Sequence, residues 1–491
     1  MDHKFQPNFR VLSPETISRV LGEALVLLQS PGVKVGSQEA IELLQSSGAT
    51  VNAMDGIAHI PEELVIKSLE TVPRAFSLFD RNGIKSVEYS GDKVHFNPGS
   101  SGVNILDAES LQHRPSHSAD LVNIIKVTEN LPVYDAQSTA VICHDVPEEI
   151  GDFYRLYLVL LLSQKPIITG AFSSKTSDVM FELLKIDSGS AEIFGEKPRA
   201  IFDVCPSPPL NWTHFAAQNL IDLARANIPA QIVSMPLSGA ASPVTLIGSI
   251  IQHAAECLSG ITIHQLANPG APIVWGGAPA QFEMRSGTTS VGSVETTLIV
   301  SGYAQVAKSM NLPTHAYLGA TDSKLVDAQA GMESATSAAF GVLSGINMIS
   351  GPGMLDFLAC QSLEKLVIDA EIIANTRRLL TGIDQSEDTL DLNYYENFEF
   401  PGNFLKEKLT RQRYREEYHL PSAVIDRGSL REWRENQSTD AFRRAKSEVT
   451  RLISNYQPPV LDQRKIQEMT DLVASHARIA GMDQLPSIKH T

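Results

Sequence analysis

The sequence predicts an α/β fold, a (β/α)8 TIM barrel with an N-terminal helical segment and a C-terminal helical extension. Three observations lead there. Eight short runs rich in β-branched and aromatic residues recur along the chain, stretches long enough for an amphipathic helix separate them, and each run ends in glycine, proline or small polar residues. Strand–helix alternation implies parallel strands, and eight repeats suit a closed barrel better than an open sheet. An open doubly wound sheet is the alternative. No run is followed by GxGxxG or by GxxxxGK and a hydroxyl residue, so a nucleotide-binding reading lacks its main support.

Residues 1–90 read as a helical cap. Ser13-Pro14-Glu15 is a helix start, with a capping hydroxyl before a proline at the first helical position. A second start falls near Ser37. Ile60-Pro61-Glu62-Glu63 is a third, because acidic groups suit the positive end of a helix.

The barrel is expected over residues 91–384. Its strand runs are 94–96, 133–136, 167–170, 200–204, 230–235, 272–276, 314–318 and 346–350. Among the intervening helices, Ser242-Pro243 is expected to cap the one running through Ile250 and His253 toward Cys257. The alanine-rich stretch 334–343 reads as a helix ending at Gly345. Residues 385–491 form the C-terminal extension. Arg, Lys and Glu crowd 403–452, with Tyr414, Tyr418 and Trp433 among them. This reads as surface helices, either a solvated face or a contact with a second copy of the chain.

The 491 residues carry 40 basic against 56 acidic side chains, a net charge of −16. That surface repels phosphate backbones, so nucleic acid is not expected as a partner. Apolar residues at 43% allow a large core and exclude wholesale disorder. Cys143, Cys205, Cys257 and Cys360 stand far apart with no CxxC pair, which argues against a zinc knuckle, an iron–sulfur cluster or a disulfide framework. The longest greasy run, 156–162, is far shorter than the ~20 residues that span a bilayer. A soluble, cytoplasmic protein with reduced thiols is expected, with no membrane partner.

In a (β/α)8 barrel the site lies at the carboxyl ends of the strands. The candidates there are Asn97 and Gly99 after the first run, Gly276 and Gly277 after the sixth, and Gly351 and Gly353 after the eighth. Glycine lets a backbone approach a ligand closely, although turns select it too. Aromatic residues Tyr134, Phe172, Trp275, Tyr317 and Phe357 either fill the barrel or box a quaternary ammonium. Gln137 and His315 add polar groups. Asp322 and Glu333, near Lys324 and Asp327, either hold a cation or cap the next helix. No HExxH, nucleophile elbow or clustered metal ligands occur.

Several of these stretches together resemble the trimethylamine methyltransferase family. They are Asn97-Pro98-Gly99 through Leu106-Asp107, His113-Arg114-Pro115 with Asp120, and Ala255-Glu256-Cys257-Leu258-Ser259-Gly260 with Gln265. Asn268-Pro269-Gly270-Ala271-Pro272 and the run from Asp322-Ser323-Lys324 to Glu333 complete the set. The resemblance implies a barrel enzyme of one-carbon metabolism. It would move a methyl group from an amine to the cobalt of a partner corrinoid protein, the cobalamin belonging to that partner and none to this chain. The founding members use pyrrolysine, and this sequence shows only standard residues. It therefore resembles the non-pyrrolysine branch, whose members demethylate quaternary amines such as glycine betaine. Carnitine, proline betaine and choline-like compounds stay open as substrates. A non-catalytic betaine-binding protein and a barrel enzyme of unrelated chemistry are the competing readings.

Overall fold

The computed structural model describes residues 6–487, apart from 53, 391, 393–394, 396–399 and 401. The ends of the expected N- and C-terminal segments, 1–5 and 488–491, lie outside the described residues. Eight parallel strands form one sheet: β1 (His95–Asn97), β2 (Gln137–Ser138), β3 (Ile167–Thr169), β4 (Ala200–Val204), β5 (Ala230–Ile232), β6 (Ile273–Gly277), β7 (Thr314–Ala316) and β8 (Met348–Ser350). They are paired in the order 1-8-7-6-5-4-3-2. The seam between β1 and β2 is closed by the Asp135 N–H donating to Phe96 O at 2.8 Å. This is the (β/α)8 barrel expected from the eight runs.

Each strand is followed by a helix: α1 (Ser118–Glu129), α2 (Gly151–Leu162), α3 (Ser174–Ser188), α4 (His214–Arg225), α5 (Leu246–Ala267), α6 (Val294–Ser309), α7 (Ala328–Leu343) and α8 (Leu363–Thr381). Buried apolar side chains line the joint between these helices and the barrel wall. Among the described residues, α5 alone is long and apolar enough to cross a membrane, and it is a mostly buried barrel helix. Two helix starts differ from expectation. The start of α5 lies at Thr245, because Ser242 bonds to the Ser249 hydroxyl instead of capping. Helix α7 begins earlier than the alanine run, where Asp327 accepts from the Ala330 N–H.

The N-terminal segment holds helices Pro14–Gln29, Gln38–Ser46 and Glu62–Thr71, the first two capped by Ser13 and Ser37. It also holds strands that periodicity did not reveal, since runs of two or three residues show no alternation. Val33–Val35 pairs with Ile57–His59 and, in parallel, with Asn211–Trp212. A hairpin, Phe76–Phe79 with Lys85–Tyr89, lies beneath the barrel. Its Phe79 and Arg81 N–H groups donate to Pro198 O and Gln164 O, just before β4 and β3. Leu78, Val87 and Tyr89 enter the barrel from below. There they pack against Ala136, Ile168, Ile201, Val274 and Met348, the inward residues at the starts of their strands. The hairpin is a floor.

In the C-terminal extension, helix Ala441–Ser454 packs on α8 and α1, and Gln463–Ile479 packs on α3 and α2. Helix Lys408–Glu417 buries none of its residues.

Candidate active site

Side chains two residues further along each strand point the same way. Above the apolar floor, the inward positions therefore continue as Asn97, Ser138, Gly170, Asp203, Gln231, Gly276, His315 and Ser350. The apolar layer gives way to a polar one, and two of its eight members are glycine. A Cβ on Gly276 would come within 2.9 Å of the His315 ring, and one on Gly170 within 3.5 Å of Asp203 Cβ. Bare backbone at Gly276 makes room for the imidazole.

A hydrogen-bonded chain crosses this layer. The Tyr317 hydroxyl donates to Asp203 Oδ2 at 3.0 Å, and Gln231 Nε2 donates to Asp203 Oδ1 at 2.7 Å. Ser100 Oγ lies 2.7 Å from the Tyr317 hydroxyl. From the floor, the Tyr89 hydroxyl donates to Gln231 Oε1 at 3.2 Å. Burial pushes the Asp203 carboxyl up to about 7, and the two donors only partly offset it. Cys205, two residues on, is exposed although protein surrounds it, and burial pushes its thiol up to about 12. Asp203 is half-buried and Cys205 exposed, so this mouth at the carboxyl ends of the strands opens to solvent. A second set lies beside them. His315 Nε2 meets Ser350 Oγ at 3.0 Å, and Ser350 Oγ donates to Asn97 Oδ1 at 2.5 Å. That direction makes His315 Nε2 the protonated nitrogen. Burial holds the ring down to about 3, so it is neutral.

Of the residues expected from sequence, the structure brings Tyr317, His315 and Asn97 into the barrel interior. His315 is fully buried and stands edge-on to Tyr317 at 5.1 Å. It offers neither a cation nor a surface to a ligand's carboxylate. Phe172 is exposed on the loop after β3, with the Arg155 guanidinium 5.4 Å from its ring centre. Phe357 lies on the loop after β8, where Lys324 Nζ already covers its ring at 3.8 Å.

The other aromatics are elsewhere. Trp275 alternates with the inward Val274 and Gly276, so it points out of the barrel. It is fully buried there, 6.0 Å from the ring of His253 on α5. Tyr134 precedes β2, and its hydroxyl donates to Leu366 O on α8. Gln137 also faces outward, donating to Ile125 O and Glu129 on α1. The five aromatics expected to fill the barrel or box an ammonium are therefore not brought together, and only Tyr317 faces the barrel interior.

The acidic pair are loop clamps. Asp322 accepts from Ser290 Oγ and from the Val291 and Gly292 N–H groups. Glu333 accepts from Thr321 Oγ1 and the Asp322 N–H. Together they tie the hairpin Ala280–Glu283/Thr288–Ser290 to the end of β7. The rim glycines also have internal reasons. A Cβ on Gly99 would strike Met354, one on Gly277 would strike His253, and one on Gly351 would strike Leu318 O; Gly353 has φ +85°.

Asp203, Gln231 and Tyr89 were not singled out from sequence, and Ser100 and Cys205 stood out only as members of strand-end stretches. A signal existed for the first. Asp203 is an ionisable residue inside an otherwise apolar run and shares the parity of Ile201.

Comparison with known proteins identifies the lineage. The family model described as trimethylamine methyltransferase (MTTB) matches residues 2–481. The chain belongs to the trimethylamine methyltransferase family. Within that family it is 30% identical over 460 residues to trimethylamine methyltransferase MttB of Methanosarcina thermophila, covering 93% of this chain and 95% of that one. It is 26% identical over 477 residues to a glycine betaine methyltransferase of Desulfitobacterium hafniense, covering 97% and 98%. The crystal structure of the Methanosarcina barkeri monomethylamine methyltransferase MtmB matches with a TM-score of 0.53 at 11% identity, over 97% of this chain and 89% of that one. That likeness is one of fold.

Proposed function

We propose that this family member transfers a methyl group from a quaternary amine, glycine betaine foremost, to the cobalt of a corrinoid carried by a partner protein, releasing dimethylglycine. The observation that carries the reading is the Asp203–Tyr317 pair in the mouth, an anion-forming carboxyl beside an aromatic ring with no competent nucleophile near it. The Cys205 thiol stays protonated at neutral pH, and the Tyr317 phenol is pushed well above its ordinary value by burial and by Asp203.

Such a set can hold a cation and little else. An onium nitrogen above Asp203 gains from the carboxylate and from the phenol face, the latter worth ~0.5–2 kcal/mol. One of its methyls then faces the open mouth. A quaternary nitrogen leaves as a neutral amine when its C–N bond breaks and keeps the electron pair, so no acid, base or covalent nucleophile is needed. Asp203 and Tyr317 hold and orient. The corrinoid supplies the acceptor for the methyl and belongs to the partner, so this chain needs only a mouth open enough to admit it. The small inward residues Gly170, Gly276 and Ser138 fit that requirement. The full-length similarity to a glycine betaine methyltransferase supports the substrate, as does a sequence written in standard residues.

One observation favours a second substrate. The ionisable groups facing the onium position are Asp203, Tyr317, Tyr89 and Cys205, with no cation among them. A carboxylate on the substrate must turn away toward rim backbone N–H groups, whereas a choline-like amine has no such group to place. We further propose that the enzyme works in the cytosol and that its charged C-terminal helices meet a second copy of the chain, which light scattering tests.

The deciding experiment mixes the purified protein with a reduced corrinoid carrier and a panel of glycine betaine, carnitine, proline betaine and choline. Methylcobalt absorbance with one of them supports the reading. Tight binding without methylcobalt on any carrier makes the chain a betaine-binding protein instead.

A further inference from the structure

We propose that Tyr89, carried on the hairpin that closes the barrel floor, is a positioning residue of the active site, fixing the Gln231 amide that in turn orients the Asp203 carboxyl toward substrate. The inference rests on the reading of Asp203 as the onium-binding group.

Tyr89 is the one polar side chain of the floor cluster, whose other members are Leu78, Val87, Ala136, Ile168, Ile201, Val274 and Met348. Its ring lies stacked on Phe76, centroids 4.7 Å apart and planes 8° from parallel. Phenylalanine fills such a place equally well. Packing therefore does not account for a hydroxyl, and a buried hydroxyl costs stability unless it is bonded. Its bond goes upward to Gln231 Oε1.

An amide has one accepting and one donating end of nearly equal shape. With Oε1 engaged by Tyr89, Nε2 must face Asp203, and it donates to Oδ1 at 2.7 Å. The opposite orientation would set an amide oxygen against a carboxylate oxygen. Oδ2 is meanwhile held by Tyr317. Each oxygen of Asp203 is thus held by one donor and keeps lone-pair capacity for a ligand. Both donations favour the ionised carboxyl, the form an onium needs. The titratable groups facing Asp203 are Tyr317 just after β7, Cys205 just after β4 and Tyr89 from the hairpin. Gln231 from β5 and Ser100 from the loop after β1 complete the polar surround. The N-terminal hairpin, distant in sequence from the mouth, thereby sets the mouth's charge.

The test is calorimetric titration of the full chain with glycine betaine and with choline chloride, across pH about 5 to about 9. Tyr89→Phe keeps the ring and removes the hydroxyl. Binding is expected to weaken by about 3- to 10-fold near neutral pH, the loss of one hydrogen bond's worth of orientation. The acid limb of the binding profile is expected to move to higher pH, a shift that loss of stability alone does not produce. Gln231→Leu is expected to weaken binding too, and Tyr89→Phe added to Gln231→Leu should change nothing further, because Tyr89 acts through that amide. Asp203→Asn should abolish the pH dependence and most of the affinity. If Asp203→Asn loses binding but Tyr89→Phe binds as the wild type does with an unmoved profile, the positioning role is wrong and the site reading survives. If Tyr89→Phe weakens binding equally in the presence and absence of Gln231, the role is equally wrong. If Asp203→Asn binds both amines normally, the site reading falls and the inference falls with it.

Discussion

Tyr317 on the β7 side and Asp203 on β4 reach each other across the barrel, two strands lying between theirs, and meet with the phenolic hydroxyl 3.0 Å from Oδ2. The contact fixes a direction. Because Tyr317 gives its proton to the carboxylate, Ser100 gives its own to Tyr317. The mouth therefore converges its donors on one carboxyl.

That carboxyl titrates at about 7 in the folded chain, raised by burial from an ordinary 3.8. The native state binds the proton more tightly than the unfolded state does. Its stabilising contribution is therefore complete below about pH 4 and is lost as pH rises through 7. Asp203→Asn is expected to be more resistant to urea than the wild type at pH about 8, the difference vanishing near pH about 4. A cation bound above Asp203 favours the ionised form. Calorimetry of amine binding near neutral pH, in buffers of different ionisation enthalpy, should thus detect release of a fraction of a proton.

Cys205 is the exposed thiol in the mouth, whereas Cys143, Cys257 and Cys360 are buried. Iodoacetamide should alkylate Cys205 first. The reaction should be slow at neutral pH and accelerate as pH climbs toward the thiol's value of about 12. Saturating quaternary amine should slow it further, and the alkylated protein should bind amine weakly. Peptide mass mapping reads both effects.

Trp275 packs outside the barrel wall against α5, so its truncation leaves a cavity there rather than a gap in the site. Trp275→Ala is expected to cost ~3–5 kcal/mol of stability. The surviving folded fraction should keep its amine affinity. Urea unfolding with parallel calorimetry separates the two.

Asp322 holds three donors where the hairpin after β6 ends, the Ser290 hydroxyl and the Val291 and Gly292 N–H groups. Asp322→Ala strands the Val291 and Gly292 N–H groups and should cost ~1–3 kcal/mol. Hydrogen exchange should quicken in residues 280–292 and stay slow in β7.

The barrel was legible because its repeats are long. Each helix supplies several turns of periodicity, and the strand runs are short stretches rich in β-branched and aromatic residues that end in Gly, Pro or small polar residues. The site was less so. Trp275 and Tyr317 look alike in sequence, both aromatics near a strand end, yet one residue of parity sends them to opposite faces of the wall. The runs 272–276 and 314–318 do not announce which parity is inward. Asp203 declared its parity only through Ile201 two residues before it, and the weight of Tyr89 depends on which distant strands its hairpin closes, which no local pattern states. The rim glycines were visible as glycines, but what crowds each of them lies far along the chain, as Met354 does for Gly99.

The hairpin from Phe76 to Tyr89 precedes every barrel strand in the chain. A ribosome releases it before any wall exists for it to close, so its apolar face must wait, or pair transiently, until the last strand is made. The barrel is then wound around a stopper already in place. With the strand starts stoppered, Asp203 and Cys205 meet solvent from the carboxyl ends of the strands, so a partner that docks over that end would control their access.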